Sequence, residues 1–533
     1  MTPSVTPRAS ARIAPTWLGE LPPRGAALLL GLVAALLVFR LGAVPLLGPD
    51  EPRYTRVAVE MHRAGAFVTP TLQGEPWLEK PPLYYWLAGA AFSLLGETEA
   101  AARVPSVLAA LLFAGTIALV GARLYGGAAG LHAGFIAGTS VLAFAYGRAA
   151  AMDMLLAATL TAGLGLLALR ALGIAGPWGV PVAYAFLALA TLAKGPLGAL
   201  LAGLVVAGHI VASRAWRLLL ELASPVAVLA FLVVAGPWYA AIYAAQGQGF
   251  VEVFLLNHNL SRFVSTVHNH PGPPYYYLPV LLAGVFPWSG LLVPALARLE
   301  PRRSAADRFV LLWLLLPLLF FSVAGSKLPG YILPCLAPLA LLMGRGADDL
   351  VEGRVRATRA VALIGLALGA LIATAPLQLI RLGEAGWALA LPPGAWALIV
   401  TWLVSRRVAR DRQGALRLLR VGAAGFLLLL ANAAPTILAR RESGRDLFGP
   451  ARGREVLAWG AWRTAWMAGY FYNDGQVREV TSQAAIVHAA AHGPVLALCG
   501  PVERRALEAL AWLRVTPLSL GPRQNALLKV ERR

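Results

Sequence analysis

Long apolar runs alternate with short polar segments along most of this chain. The runs at 25–39, 104–121 and 223–243 contain no charged residue, and as helices most such runs are long enough to cross about 30 Å of hydrocarbon. The pattern predicts an all-α polytopic membrane domain of about 13 transmembrane helices. Their expected ranges are 25–43, 104–121, 127–146, 153–169, 178–193, 196–212, 223–243, 275–297, 309–325, 331–344, 360–379, 388–404 and 421–438.

Two parts of the chain fall outside this pattern. The apolar stretch 83–95 is too short to span comfortably, and its aromatic start suits the headgroup level, so residues 44–103 are predicted to form one long outer loop. After the last span, β-like runs at 477–481, 495–499 and 526–530 stand among helical segments. We therefore expect a transmembrane domain over 1–440 and a small extracytoplasmic α/β domain over 441–533.

Composition supports the membrane assignment and excludes some classes. With 58% hydrophobic and 14% charged residues, the chain could not cover itself with an ordinary polar surface in water. The net charge of +20 comes from Arg clusters between the apolar runs, which indicates positive-inside topology rather than nucleic-acid binding. Cys335 and Cys499 lie in apolar segments without a zinc spacing, so both are expected to be structural.

Placing the Arg-rich N-terminus in the cytoplasm brings charged residues of both signs to the outer face. Ionisable residues at a membrane interface are unfavourable, and several together usually bind ions, phosphates or a substrate. The pattern therefore predicts a site on this face. The residues that gather there are Asp50, Glu51, Lys80, Asp153, Lys194, Arg262 and Lys327.

The acidic pair Asp50-Glu51 follows the first span and is flanked by Pro49 and Pro52, which stiffen the backbone. Such a carboxylate could act as a general base on an acceptor or could bind a cation. It could equally be an N-cap and first-turn acid of a helix that begins near Pro52. Asp153 opens the fourth span, and capping is again the competing interpretation.

The cations have two readings as well. Lys80 lies beside Pro81-Pro82 and could grip a lipid phosphate, or it could be a lysine that snorkels at the interface. Arg262, in a loop after the seventh span, is a candidate for an anionic group. Lys327, close to Tyr331 at the mouth of a span, could be part of a phosphate clamp or of a snorkelling pair.

These motifs together resemble the aminoarabinose transferase and protein O-mannosyltransferase group of membrane glycosyltransferases. The resemblance covers about the first 340 residues. It rests on the acidic pair followed by Arg53-Tyr54, on Glu79-Lys80-Pro81-Pro82, on the later Asp153, and on Lys327-Leu328-Pro329-Gly330-Tyr331.

The resemblance implies a GT-C fold that takes a sugar from a polyprenyl-phosphate donor, such as undecaprenyl phosphate, and transfers it with inversion at the periplasmic face of a bacterial inner membrane. By the same resemblance Asp50 is the catalytic acidic residue, with Glu51 beside it and Asp153 assisting in placing or activating the acceptor. The cations Lys80, Arg262 and Lys327 meet the donor phosphate. The full set of expected substrate-binding residues is Arg53, Glu79, Lys80, Tyr84, Arg262, Lys327 and Tyr331.

Several features stay open at this level. The acceptor is expected to be lipid A, another lipid, a glycan or a protein, with no nucleic-acid partner. A divalent cation is a possibility near Glu79, although no partner ligands are evident. The rival function is a transporter or flippase of lipid-linked or anionic substrates, which would instead place charges at mid-span and use paired broken helices. The charges here gather at one face, which favours the enzyme.

Overall fold

The computed structural model describes residues 21–254, 272–381, 386–451 and 453–533. Helices dominate these segments up to residue 442, and each follows an apolar run or an outer-loop segment of the sequence. They are α1 Pro23–Val38, α2 Asp50–Ala64, α3 Leu83–Leu95, α4 Glu99–Tyr125, α5 Gly127–Thr139, α6 Val141–Tyr146, α7 Asp153–Ala171, α8 Gly179–Lys194, α9 Leu197–Ser213, α10 Arg217–Leu222, α11 Pro225–Phe250, α12 Tyr277–Gly284, α13 Leu292–Ala297, α14 Ala305–Val323, α15 Leu333–Val351, α16 Thr358–Arg381, α17 Trp387–Arg407 and α18 Arg412–Glu442.

Within the described part of the chain, nine helices are long and apolar enough to cross a membrane. A tenth span results if one bent helix pair is counted as a unit. The predicted spans at 178–193 and 196–212 correspond to α8 and α9, which are apolar but shorter. The many-helix membrane domain is thus confirmed, while the number 13 stays a prediction.

Two predicted spans are interrupted. The segment 275–297 forms two helical pieces, Pro274–Gly284 and Ser289–Ala297, bent by 114°. Pro287 stands in the break, and its ring can neither donate an amide hydrogen nor fit a straight helix interior. The segment 127–146 is broken at Ser140, whose backbone is extended between α5 and α6.

The outer loop is a compact unit on top of the helices. Helix α2 packs on α3, and α3 packs on α4. Between α2 and α3 lies a short antiparallel hairpin of β1, Thr71–Leu72, and β2, Glu75–Pro76. Gly65 ends α2 with φ +60, a left-handed conformation that glycine adopts without a steric penalty. Helix α2 is therefore connected to α4 through its packing on α3.

The C-terminal residues form a five-stranded mixed sheet in the order β4-β3-β5-β7-β6. The central strands β3 and β5 are parallel, whereas β7 runs antiparallel to β5 and β6. The strands are β3 Val456–Trp459, β4 Val477–Glu479, β5 Val495–Cys499, β6 Leu513–Leu520 and β7 Ala526–Arg532, with helices α19 Arg463–Met467, α20 Gly469–Tyr472, α21 Gln483–Ala491 and α22 Pro501–Glu508 between them.

Three of these strands, β4, β5 and β7, lie where the sequence predicted β-like runs. The sheet has a hydrophobic cluster of its own, which includes Leu457, Ala497, Cys499 and Leu528. Other residues of this part, such as Phe448, belong to the large cluster of the membrane helices. The boundary at residue 440 and the extracytoplasmic location of 441–533 stay predictions.

Candidate functional site

The first turn of α2 carries one solvent-exposed carboxylate. Asp50 is the first residue of α2, directly after Pro49, and its side chain remains 52% exposed. The Arg53 Nη2 atom donates to Asp50 Oδ1 at 2.6 Å, an i,i+3 pair on one face of the helix. Asp50 is thus oriented by its own helix and remains open to a reactant.

Glu51, its neighbour, is placed very differently. Its carboxylate accepts hydrogen bonds from Arg103 Nη2 at 2.8 Å, from the Leu47 amide at 2.7 Å and from the Ala150 amide at 2.6 Å. The side chains of Arg103 and Glu51 are only 1% and 9% exposed. A buried ion pair with all of its oxygens bonded fixes geometry. Glu51 therefore ties the start of α2 to α4 and to the turn before α7.

Arg53 extends the site from Asp50 toward the second motif of the outer loop. Its guanidinium lies 4.9 Å from the centroid of the Trp77 ring, a cation–π distance. Burial alone would lower the pKa of Arg53, but its contact with Tyr54 and the charges of Asp50 and Glu79 raise it above its ordinary value. The side chain is therefore a fixed, permanently charged group beside Asp50.

Tyr54 is a buried phenol that three of the predicted acids affect electrostatically. Burial raises its pKa above the ordinary value, and the negative charges of Asp50, Asp153 and Glu79 raise it further. These three carboxylates come from different segments, namely the start of α2, the start of α7 and the loop before α3. All three carboxylates are therefore close enough to Tyr54 to act on its phenol electrostatically.

Asp153 is bound by Lys194, which was predicted to lie at this face but was given no role. The Lys194 Nζ atom, at the end of α8, donates to Asp153 Oδ1 at 2.5 Å. The same ammonium lies 5.0 Å from the centroid of the Tyr331 ring. Since α7 and α8 pack against each other, the lysine links the acid to the predicted Lys-Leu-Pro-x-Tyr motif.

The two predicted phosphate lysines are both largely buried. Lys80 Nζ donates to the Glu79 carbonyl at 3.2 Å, and Lys327 Nζ donates to the Ala324 carbonyl at 2.6 Å. Gly272, where the described chain resumes after the seventh span, packs on the Lys327 side chain. Arg262 lies outside the described residues. Each described lysine is thus oriented by a backbone carbonyl.

Tyr84 is a packing residue between two helices. Its ring is completely buried, and its hydroxyl donates to the Ala102 carbonyl at 2.9 Å. In this structure the side chain therefore contributes to the packing of α3 against α4.

Three residues outside the predicted set also shape the site: Arg103, Trp77 and Tyr472. Lys194 was predicted to lie at this face but without a role, and it binds Asp153. Arg103 carried a visible signal, because it is a charged residue next to an apolar run. Trp77 is an aromatic residue near the membrane face, which is a weaker signal. Tyr472 contacts the loop from a distant part of the chain, and no local pattern could have indicated it.

Metal ligation was left open by the sequence near Glu79. Within the segments that the structure describes, no group of three His, Cys, Asp or Glu side chains stands close enough to hold a metal ion.

Comparison with known proteins places this architecture in a class. Residues 79–240 match the family described as dolichyl-phosphate-mannose-protein mannosyltransferase. The fold is similar to that of ArnT from Cupriavidus metallidurans bound to undecaprenyl phosphate, with a TM-score of 0.78 and 22% identity over 96% of this chain and 98% of that one. At this identity the likeness is one of fold. Together with the family match and the apolar helices, it indicates a multi-pass membrane protein of the GT-C type.

The curated relatives narrow this class to a family. Undecaprenyl phosphate-alpha-4-amino-4-deoxy-L-arabinose arabinosyl transferase 1 of Sodalis glossinidius (strain morsitans) is 35% identical over 418 residues, which cover 73% of each chain. The corresponding transferase of Pseudomonas aeruginosa is 37% identical over 352 residues, and this chain spans only 61% of its length. The chain belongs to this family of undecaprenyl phosphate-aminoarabinose arabinosyl transferases, and it is a multi-pass inner-membrane protein.

Proposed function

We propose that this protein is a membrane glycosyltransferase that takes a sugar from a polyprenyl-phosphate donor and transfers it to an acceptor with inversion. The observation that carries the proposal is the difference in environment between Glu51 and Asp50 in the first turn of α2. Glu51 is buried and fully bonded, while Asp50 next to it stays half exposed and is oriented by Arg53. A catalytic carboxylate needs this combination of fixed position and access to the reactant.

In the proposed reaction, an oxygen of the acceptor attacks the anomeric carbon of the donor sugar. The bond between that carbon and the phosphate oxygen breaks, and polyprenyl phosphate leaves with the bonding electrons. When the acceptor is a hydroxyl group, Asp50 takes its proton as the new bond forms. When the acceptor is itself a phosphate, there is no proton to remove, and the carboxylate positions the acceptor or the sugar.

The leaving group gains negative charge as its bond breaks, and fixed cations in a poorly hydrated site stabilise that charge. Lys80 and Lys327 suit this role because both are buried and oriented by backbone carbonyls. By the resemblance alone, Arg262 is assigned to the same phosphate and Tyr331 to the groove that holds the lipid of the donor. Tyr84, which the resemblance also assigns to that groove, is buried between α3 and α4. Arg53 and Glu79 complete the proposed donor site beside Asp50.

Asp153 is proposed to act on the acceptor side. Its carboxylate is neutralised by Lys194 at 2.5 Å, and it shares the environment of Tyr54 with Asp50. An ion pair of this kind can accept a hydrogen bond from a sugar or acceptor hydroxyl without carrying net charge.

The donor follows from the family. The printed names of the relatives specify undecaprenyl phosphate-alpha-4-amino-4-deoxy-L-arabinose, so an undecaprenyl-phosphate-linked aminopentose is the donor that we propose to test first. The site is proposed to face the periplasm, and the acceptor is proposed to be a lipid, glycan or protein of the cell envelope.

The test is transfer of a labelled sugar by the purified protein in vesicles that contain membrane acceptors. We compare the undecaprenyl-phosphate-linked aminopentose with other polyprenyl-phosphate sugars and with nucleotide-linked sugars. Transfer from a polyprenyl-phosphate donor, with release of polyprenyl phosphate in equal amount, is the expected result. Transfer only from a nucleotide sugar would refute the proposed donor class. Movement of the intact donor across the bilayer without transfer would favour a flippase.

A further inference from the structure

The turn that carries Asp50 is held by three successive backbone amides. The Leu46 amide donates to the Tyr472 hydroxyl at 2.7 Å, the Leu47 amide donates to Glu51 at 2.7 Å, and the Gly48 amide donates to the Glu442 carbonyl at 2.9 Å. Only the second of these partners belongs to the outer loop. The position of Asp50 thus depends on contacts from the C-terminal end of the chain.

Tyr472 is well placed to fix this turn. It ends α20 and packs, partly buried, against the large hydrophobic cluster of the membrane helices, and its hydroxyl donates in turn to Glu99 Oε1 at 3.3 Å. The hydroxyl therefore accepts from one segment and donates to another, which determines its orientation. Without it, the Leu46 amide would lose its partner in a partly buried position.

A second contact joins the same segment to the body of α2. Asp474 Oδ1 accepts from Arg56 Nη1 at 2.6 Å and from Arg63 Nη1 at 2.8 Å. These arginines lie two and four turns along α2 from Asp50. The Asp474 carboxylate thus binds α2 at two positions along the helix.

The segment Tyr472–Asp474 is anchored by hydrogen bonds on both sides. Asn473 is buried, and its side chain accepts from the Gly453 amide and donates to the carbonyls of Arg454 and Gln476. On the other side, Gln73 Nε2 donates to the carbonyls of Gly475 and Val477 at 2.9 and 2.7 Å. The segment is therefore held on both flanks.

Near the ion pairs of Asp474, a cavity of about 720 Å³ lies between the outer loop and β4. Around this cavity, polar contacts rather than continuous apolar packing join the outer loop to the C-terminal sheet. The orientation of α2 is consequently sensitive to single hydrogen bonds and ion pairs.

We propose that the segment Tyr472–Asp474 positions the catalytic Asp50: Tyr472 fixes the turn before it, and Asp474 fixes the direction of α2. This inference rests on the proposed function. Tyr472 and Asp474 are positioning residues, since neither is placed to touch the donor. A reacting group that is displaced by about 1 Å can lose on the order of a hundredfold in rate, so loosening either contact should slow the chemical step.

The test uses two isosteric changes in the full-length protein. Tyr472→Phe removes one hydroxyl, and Asp474→Asn removes one charge while keeping a residue that tolerates the left-handed backbone at φ +50. The control is Glu455→Gln, because Glu455 has the same 58% side-chain exposure as Asp474 and pairs with Arg478 within the C-terminal part.

Single-turnover transfer with saturating protein separates positioning from folding. Partial loss of folded protein leaves the rate constant unchanged as long as the remaining protein saturates the donor, whereas misplacement of Asp50 lowers the rate constant. We expect the rate constant to fall about tenfold or more in Tyr472→Phe and in Asp474→Asn, with amplitude and donor affinity kept and with no change in Glu455→Gln. An unchanged rate constant in both variants, or an equal fall in the control, would overturn the inference.

A second measurement does not depend on transfer. Hydrogen exchange of the amides over 46–51 should be faster in Tyr472→Phe than in the wild type and the control, because an anchored amide has lost its acceptor. Unchanged protection there would refute the proposed anchoring. If the wild-type protein transfers no sugar while the exchange result holds, the proposed function fails and the anchoring itself stands.

Discussion

The Lys194 ammonium lies 2.5 Å from a carboxylate oxygen of Asp153, and this pair joins the end of α8 to the start of α7. Both side chains are less than one fifth exposed, so neither charge is well solvated alone. The pair also reaches Tyr331 through the cation–π contact of the lysine. Asp153, Lys194 and Tyr331 therefore form one unit, and a change in any of them should affect the other two.

The first prediction concerns this unit. Lys194→Met should reduce sugar transfer by about tenfold or more, since it leaves the Asp153 carboxylate without its partner in a partly buried place. Combining it with Asp153→Asn should reduce transfer less than the product of the two single effects, as coupled residues do in a double-mutant cycle. The matched control is Arg170→Gln, which breaks the pair with Glu221 at the other end of α7 and should leave transfer unchanged. Independent effects of Lys194 and Asp153 would contradict this account.

The second prediction separates Glu51 from Asp50. Glu51→Gln should destabilise the protein by about 3–5 kcal/mol, because it leaves Arg103 as an uncompensated buried charge. Glu352→Gln, at an exposed pair with Arg354, should change stability by less than about 1 kcal/mol. Thermal unfolding in the same detergent measures both. A Glu51→Gln protein as stable as the wild type and without transfer activity would instead place Glu51 in the chemistry.

Local patterns predicted much of the membrane part because hydropathy is a property of neighbouring residues. The apolar runs that became α4, α7 and α14 needed no knowledge of their partners. The break near Pro287 was missed, since proline is common in membrane helices and does not by itself announce a bend. In the C-terminal part, β3 has only four residues and β6 carries Pro517, which weakens the strand signal.

The sequence predicted which residues belong to the site better than it predicted the contacts between them. Asp50, Lys80 and Asp153 stand in recognisable motifs, whereas the partners of Asp153 and Glu51 lie 41 and 52 residues away in sequence. The contact between Leu46 and Tyr472 spans 426 residues. Such contacts come from packing of whole elements, so a pattern within one segment cannot reveal them.

The third prediction concerns donor binding. Lys80→Ala and Lys327→Ala should each raise the donor KM about tenfold, because each removes a charge-assisted contact to the proposed phosphate. The same substitutions should weaken the binding of a competing polyprenyl alcohol less, since this competitor carries no phosphate. Equal weakening of phosphate-bearing and phosphate-free competitors would indicate a general packing defect and would contradict a phosphate role.

The fourth prediction is a pH dependence at the outer loop. Burial tends to raise the pKa of Glu60, but hydrogen bonds from Arg56, the Gly74 and Gln73 amides and Thr71 hold it below the ordinary value of 4.5. Because the folded pKa is lower than the unfolded one, the stability that Glu60 contributes is complete above 4.5 and is lost as the pH falls through the folded value.

The measurement for Glu60 is the melting temperature of the wild type and of Glu60→Gln as a function of pH. The wild type should melt higher at neutral pH, and the difference should shrink only below the ordinary pKa of 4.5. A difference that stays the same at low pH would show that the carboxylate charge of Glu60 does not carry the effect.

The most direct test of the central claim compares the wild type with Asp50→Asn in the transfer assay with the undecaprenyl-phosphate-linked donor. Glu75→Gln, an exposed change in the same outer loop, is the matched control. The account predicts that Asp50→Asn folds normally, binds the donor and loses on the order of a hundredfold or more in transfer rate, while Glu75→Gln transfers like the wild type. Transfer by Asp50→Asn at the wild-type rate would contradict the assignment of Asp50 as the catalytic residue.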